Sequence, residues 1–172
     1  MKMSQTRTEP GLAFLLSQTG FHAANQFEER LTALDLKPQH AGLLRMLASK
    51  PGLTQQAMCD IFGIHPSRLV ALLDELAERR LVERRRHPSD RRSYHVHITG
   101  PGIQALDRIG AIAQKLESDV FAALSVAERR QLSDMLERIV AQQGMTWAVH
   151  PAYQKRVESQ RASEDQRRRG IR

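Results

Sequence analysis

A chain of 172 residues suits one domain with loose ends; its 41% hydrophobic content is enough for a core, and only 5% aromatic residues argues against a sheet-rich sandwich. A single cysteine, Cys59, excludes an internal disulfide and a cysteine-based zinc motif. The net charge of +7 is confined to two short stretches: residues 79–92 hold 7 Lys/Arg against 2 Asp/Glu and residues 151–172 hold 7 against 3, whereas 1–78 and 93–150 each come to −1.

Residues 1–9 are polar and are expected to be disordered. The apolar run Leu12 to Leu16 is too short for a signal-peptide core or a membrane span, so a cytoplasmic protein with no membrane partner is expected. Leu12, Leu15, Leu16, Ala23, Phe27, Leu31 and Leu34 recur at helical spacing and predict a first helix near Leu12–Leu34, with His22 and Asn25 on its other face. Pro38 suits the first turn of a second helix carrying Leu43, Leu44 and Leu47, which Lys50-Pro51-Gly52 ends. Thr54 caps a short third helix with Met58, Cys59 and Phe62 inward, and Gly63 supplies a sharp turn. Pro66 then opens a helix to about Arg80 whose Leu69, Leu72, Leu73 and Leu76 are buried, leaving Ser67, Arg68, Val70, Ala71, Asp74 and Glu75 outward.

Two helices joined by a glycine turn are the parts of a helix-turn-helix, whose second helix enters the major groove N-terminal end first. His65, Ser67 and Arg68 are the polar groups at that end, and Arg68 suits a bidentate contact to guanine. Taken alone, the same pattern also describes an amphipathic surface helix. The next segment favours the helix-turn-helix: Val82 to Arg86 and Tyr94 to Ile98 read as two strands about a Pro-Ser-Asp turn at 88–90. This two-stranded wing gathers Arg85, Arg86, Arg91 and Arg92, guanidinium groups suited to phosphates and to a narrow minor groove. Asp90 repels phosphate, so it reads as a group that orients a neighbouring arginine. His95 and His97 share a strand face, but with no third ligand nearby they read as a phosphate-facing pair and not as a metal site.

Thr99 caps a long helix with Ile103, Leu106, Ile109, Ala113, Leu116, Val120, Phe121 and Leu124 on its apolar face. Ser125-Val-Ala-Glu128 is a capping box opening a last helix, with Leu132, Met135, Leu136, Ile139 and Val140 inward. The basic tail, residues 146–172, reads either as a solubilising end or as a mobile arm adding phosphate contacts.

Leu-Thr-Gln-Gln, Phe-Gly-Ile, Leu-Asp-Glu-Leu, Leu-Val-Glu-Arg-Arg, Asp90-Arg91-Arg92 and Ile98-Thr99, in this order, resemble the multiple-antibiotic-resistance regulator (MarR) family over roughly residues 10–145. The resemblance implies a dimeric winged-helix transcription factor, usually a repressor, released when a small phenolic or aromatic ligand binds or a cysteine is oxidised. It places Arg92 in the minor groove with Asp90 holding it, and Ser67 and Arg68 in the major groove. It also implies an effector cleft where the first, second and long fifth helices meet, with His22, Asn25, His40 and Arg45 as candidate polar contacts. Cys59 falls at a small core position and reads as a packing thiol, because oxidation-sensing relatives carry their cysteine in the first helix. Arg80 stands where the family usually has glycine, and a non-glycine residue at a left-handed cap costs about 1 kcal/mol.

The fold class expected is mainly α: a winged helix-turn-helix with a two-stranded β wing and a helical dimerisation region. Residues 10–145 form a single domain, with 38–99 as a DNA-binding lobe and 10–36 and 100–145 as the dimerisation region. No Ser-His-Asp order, glycine-rich phosphate loop or metal spacing appears, so no enzyme, cofactor or metal is expected. The expected partners are pseudo-palindromic double-stranded DNA, a second copy of the chain and a small aromatic effector. A winged-helix protein-interaction module and a non-specific DNA-binding protein are the alternatives.

Overall fold

The computed structural model describes residues 10–86 and 94–145. In chain order it contains α1 (Leu12–Leu31) with a single 3-10 turn after it (Thr32–Leu34), α2 (Pro38–Ser49), β1 (Leu53–Thr54), α3 (Gln55–Phe62), α4 (Pro66–Glu78), β2 (Val82–Arg86), β3 (Tyr94–Ile98), α5 (Gly100–Val120) and α6 (Val126–Gln142). No helix among the described residues is long and apolar enough to cross a membrane.

Local chemistry sets most of the helix ends. The Thr54 hydroxyl accepts the Ala57 N–H at 3.2 Å, and the Thr99 hydroxyl accepts the Gly102 N–H at 3.1 Å. Ser125 and Glu128 close a reciprocal capping box. Left-handed residues end four of the helical segments: Gly63 and Gly144 where glycine is free to do so, but also Asp35 (φ 52°) and Arg80 (φ 59°). At each of them the following N–H reaches back five residues, as Leu81 N does to Leu76 O at 2.9 Å and Leu36 N to Leu31 O at 3.2 Å.

β2 and β3 pair antiparallel as the expected two-stranded wing. β1 adds to it, giving an antiparallel sheet in the order β1-β3-β2 with Leu53 opposite Val96 and Thr54 opposite His95. Two residues are too few to show the period-two alternation by which a strand is recognised from sequence. Val82 pairs with Ile98 and Arg84 with Val96, so that Val82 and Val96 face the core.

That core lies between the helix-turn-helix and the inner face of the sheet. Leu43, Leu44 and Leu47 of α2, Met58 and Phe62 of α3, and Leu69, Leu72, Leu73 and Leu76 of α4 are buried there, closed by Leu31 from α1 and Ile109 from α5. Cys59 is part of it, and burial pushes its thiol pKa up. The apolar stripes expected inward on the outer helices are different. In α1 only Leu31 is buried, with Leu12 80% and Phe21 70% exposed; in α6 no residue is buried, and Met135 and Ile139 are exposed. Among the described residues nothing covers those faces.

Candidate nucleic-acid interface

The helix-turn-helix presents the start of α4. His65 is its N-cap: Nδ1 accepts the Ser67 backbone N–H at 3.3 Å and lies 2.8 Å from the Ser67 hydroxyl, which leaves the Nε2 side of the exposed ring outward. Arg68 is exposed one residue further on. The positive end of the helix dipole also lies here, so this end is suited to a phosphate or an electronegative base edge.

Acidic side chains on α4 would oppose that use, and the fold pairs the two nearest. Asp74 Oδ1 lies 2.6 Å from Arg84 Nη2 of β2. Glu75 Oε2 accepts from Lys37 Nζ at 2.8 Å and lies 3.1 Å from Nε2 of His40. The Lys37 hydrogen bond holds the Glu75 carboxyl below the usual carboxylate range. His40 is buried, and its Nδ1 accepts the Lys37 backbone N–H at 3.2 Å, which puts its proton on Nε2, facing the carboxylate. Burial is the main cause that holds His40 below its ordinary pKa, and it outweighs the attraction of Glu75. Further along, Arg79 clasps both the carboxylate and the carbonyl of Asp35. α4 is thus tied on one flank to the wing and on the other to the start of α2.

The wing continues the cationic surface. Strand alternation sends Arg84 toward Asp74 and Arg85 to the opposite face, where Arg85 is exposed and its Nε donates to Glu83 at 2.8 Å. Arg86 lies in β2 opposite Tyr94. Asp90, Arg91 and Arg92 lie outside the described residues. His95 stands between Thr54 and Arg85 in register, and His95 and His97 both border Gly52 (φ 77°), where an added Cβ would lie 3.4 Å from the His95 ring and 3.5 Å from the His97 ring.

The base of the wing is fixed to α5. The Thr99 hydroxyl donates to Arg80 O at 2.6 Å, and the Thr99 N–H to Leu81 O at 3.1 Å. A Cβ on Gly102 would fall 2.1 Å from Leu81 O, so only glycine fits this approach of α5 to the α4–β2 turn.

The four candidate effector contacts are placed unequally. His22 and Asn25 on α1 and Arg45 on α2 are exposed, whereas His40 is buried beside Lys37 and Glu75. The pairs Asp74–Arg84 and Glu75–Lys37 are not legible in the sequence, since each joins residues distant in the chain that nothing local marks as partners.

Comparison with known proteins agrees with this geometry. A family model described as MarR family matches residues 34–93. A protein of Thauera aromatica described as a putative transcriptional regulatory protein for the hcr operon is 35% identical over 136 residues, covering 78% of this chain and 82% of the relative. The crystal structure of a MarR-family transcriptional regulator from Rhodococcus sp. RHA1 superposes with a TM-score of 0.63 at 27% identity, covering 74% of this chain and 90% of that one. A cysteine-to-serine mutant of Escherichia coli MarR in complex with operator DNA shares the fold, with a TM-score of 0.63 at 21% identity over 75% of this chain and 93% of that one. With a 35% identical relative matched over most of both chains and the fold shared, this chain belongs to the MarR family of winged-helix transcriptional regulators.

Proposed function

We propose that the protein is a homodimeric repressor that binds a pseudo-palindromic operator, with the N-terminal half of α4 in the major groove, the β2–β3 wing over the adjacent minor groove, and release on binding a small aromatic ligand. The observation that carries the DNA-binding part is electrostatic. The first two turns of α4 expose His65, Ser67 and Arg68 with no acidic residue among them, while Asp74 and Glu75 further along are each held by a cation of the fold. The operator-bound structure of Escherichia coli MarR supports the same use of the shared fold.

In this reading His65, Ser67 and Arg68 reach the major groove, Arg85, Arg86 and Arg91 meet phosphates, and Arg92, oriented by Asp90, enters the minor groove. Residues 38–99 are the DNA-binding lobe. Residues 10–36 and 100–145 pair with a second copy, which supplies the cover that Leu12, Phe14 and Phe21 of α1, Ile103 of α5 and Val126 of α6 lack among the described residues. The basic tail, 146–172, adds phosphate contacts. For the ligand, His22, Asn25 and Arg45 are the groups left accessible, and an aromatic carboxylate is the class that an arginine and a histidine suit.

The test is binding of the purified protein to the DNA upstream of its own coding sequence against competitor DNA at several salt concentrations. The expected result is specific binding whose log–log salt slope is about −0.9 per phosphate contacted, weakened by one member of a panel of aromatic acids. Binding that competitor DNA abolishes at every salt concentration overturns the operator reading.

A further inference from the structure

The N-terminal half of α4 carries a feature that cation-to-phosphate contacts leave unused. Val70 is 37% exposed, and among the described residues it is the only large hydrophobic side chain of α2, α3 or α4 left exposed in this way. The others of that kind lie on α1, α5, α6, the wing residue Tyr94 and Met145 after α6. At about 100° per residue, the buried Leu69, Leu72, Leu73 and Leu76 define one side of the helix. Ser67 and Ala71 fall on the stripe farthest from it. Arg68 lies to one side of that stripe, the side of Glu75, and Val70 to the other, the side of Asp74.

Val70 is a single exposed large apolar side chain on this helix, flanked along it by Ser67, Ala71 and Asp74, too small a patch to seat a hydrophobic peptide, while a DNA groove offers one suitable apolar group. In the major groove the only exposed apolar group is the C5-methyl of thymine. Ala71, at the outermost position, is small enough to let the helix seat close to the groove floor, and the Asp74 carboxylate beside Val70 is already paired with Arg84. We propose that Val70 is a specificity-determining residue that reads a thymine methyl group in each operator half-site, at a base pair distinct from the one contacted by Arg68. This inference rests on the proposed placement of α4 in the major groove.

The experiment uses the full chain and an operator recovered by selection from random duplex DNA. Each thymine of a half-site is replaced in turn by deoxyuridine, which removes the methyl group and keeps every hydrogen-bonding edge. Dissociation constants are then measured for the wild type, Val70→Ala and Arg68→Ala. One deoxyuridine position is expected to weaken the wild type about fourfold, the worth of one buried methyl group. Val70→Ala, an exposed change to a better helix former, is expected to keep the unfolding temperature and to bind the thymine and deoxyuridine operators equally. A half-site in which no deoxyuridine matters overturns the proposal, and so does a methyl effect that persists unchanged in Val70→Ala. If operator binding remains specific and depends on Arg68 in either case, the placement of α4 stands and only the thymine reading falls. If selection recovers no preferred sequence at all, both fall together.

Discussion

Arg80 shows how one residue can depart from local preference and still be held. Its left-handed backbone ends α4, and its carbonyl receives the Thr99 hydroxyl, so the strained turn is locked by the cap of the next helix. Arg80→Gly is expected to raise stability by about 1 kcal/mol in urea unfolding. No gain, or a loss, would contradict the strain argument. The position is legible because a glycine is expected there. Asp35, in the same conformation, is not, since aspartate enters the left-handed region often enough to leave no mark in a sequence. His40 has a different consequence. Its folded pKa is depressed below its ordinary value, so the unfolded chain binds more protons, and the stability it contributes is present above about pH 6.5 and lost as pH falls through that window toward the folded value. Glu75, also depressed, adds a further loss in the carboxylate range. The expected slope for His40 approaches at most about 1.4 kcal/mol per pH unit, and His40→Gln should flatten the stability curve just below pH 6.5. An unchanged curve in that variant would remove His40 as the source.

At the scale of elements, the caps and turns are readable because each is a short-range device. Thr54, Gly63, Pro66, Thr99 and the Ser125–Glu128 box act within a few residues, and all stand in the structure where their neighbours place them. β1 is not readable, because its two residues become a strand only by pairing, Leu53 with Val96 and Thr54 with His95. The flank pairs of α4 are hidden for the same reason: Lys37 and Glu75 are 38 residues apart, and Arg79 and Asp35 are 44 apart. These pairs matter for the interface, because they set which part of α4 carries uncompensated negative charge. They leave its N-terminal half, where His65, Ser67, Arg68 and Val70 sit, as the part that DNA can approach. Of the candidate groove residues, the major-groove set is on one exposed helix start, while Arg92 and Asp90 lie outside the described residues.

For the whole molecule, the outer helices carry the argument for a second copy. The stripes of α1 and α6 are legible as apolar, yet periodicity states only that a face will be covered and not by what. Here α1 packs on α5 along part of its length, with Arg30 meeting Asp119 at 2.8 Å, and among the described residues Leu12, Phe14, Leu16 and Phe21 of α1 and Met135 and Ile139 of α6 are left exposed. A Leu16→Glu variant with Phe21→Glu is expected to sediment as a monomer and to lose operator affinity, since one protomer contacts a single half-site. A variant that remains dimeric would place the interface elsewhere. Base reading by α4 is tested by comparing the wild type with Arg68→Ala on operator and on competitor DNA at one salt concentration. Arg68→Ala is expected to lose about 1–3 kcal/mol on the operator with competitor binding nearly unchanged, because a base contact is lost and few phosphate contacts are. Equal losses on both DNAs, or none on either, would contradict it.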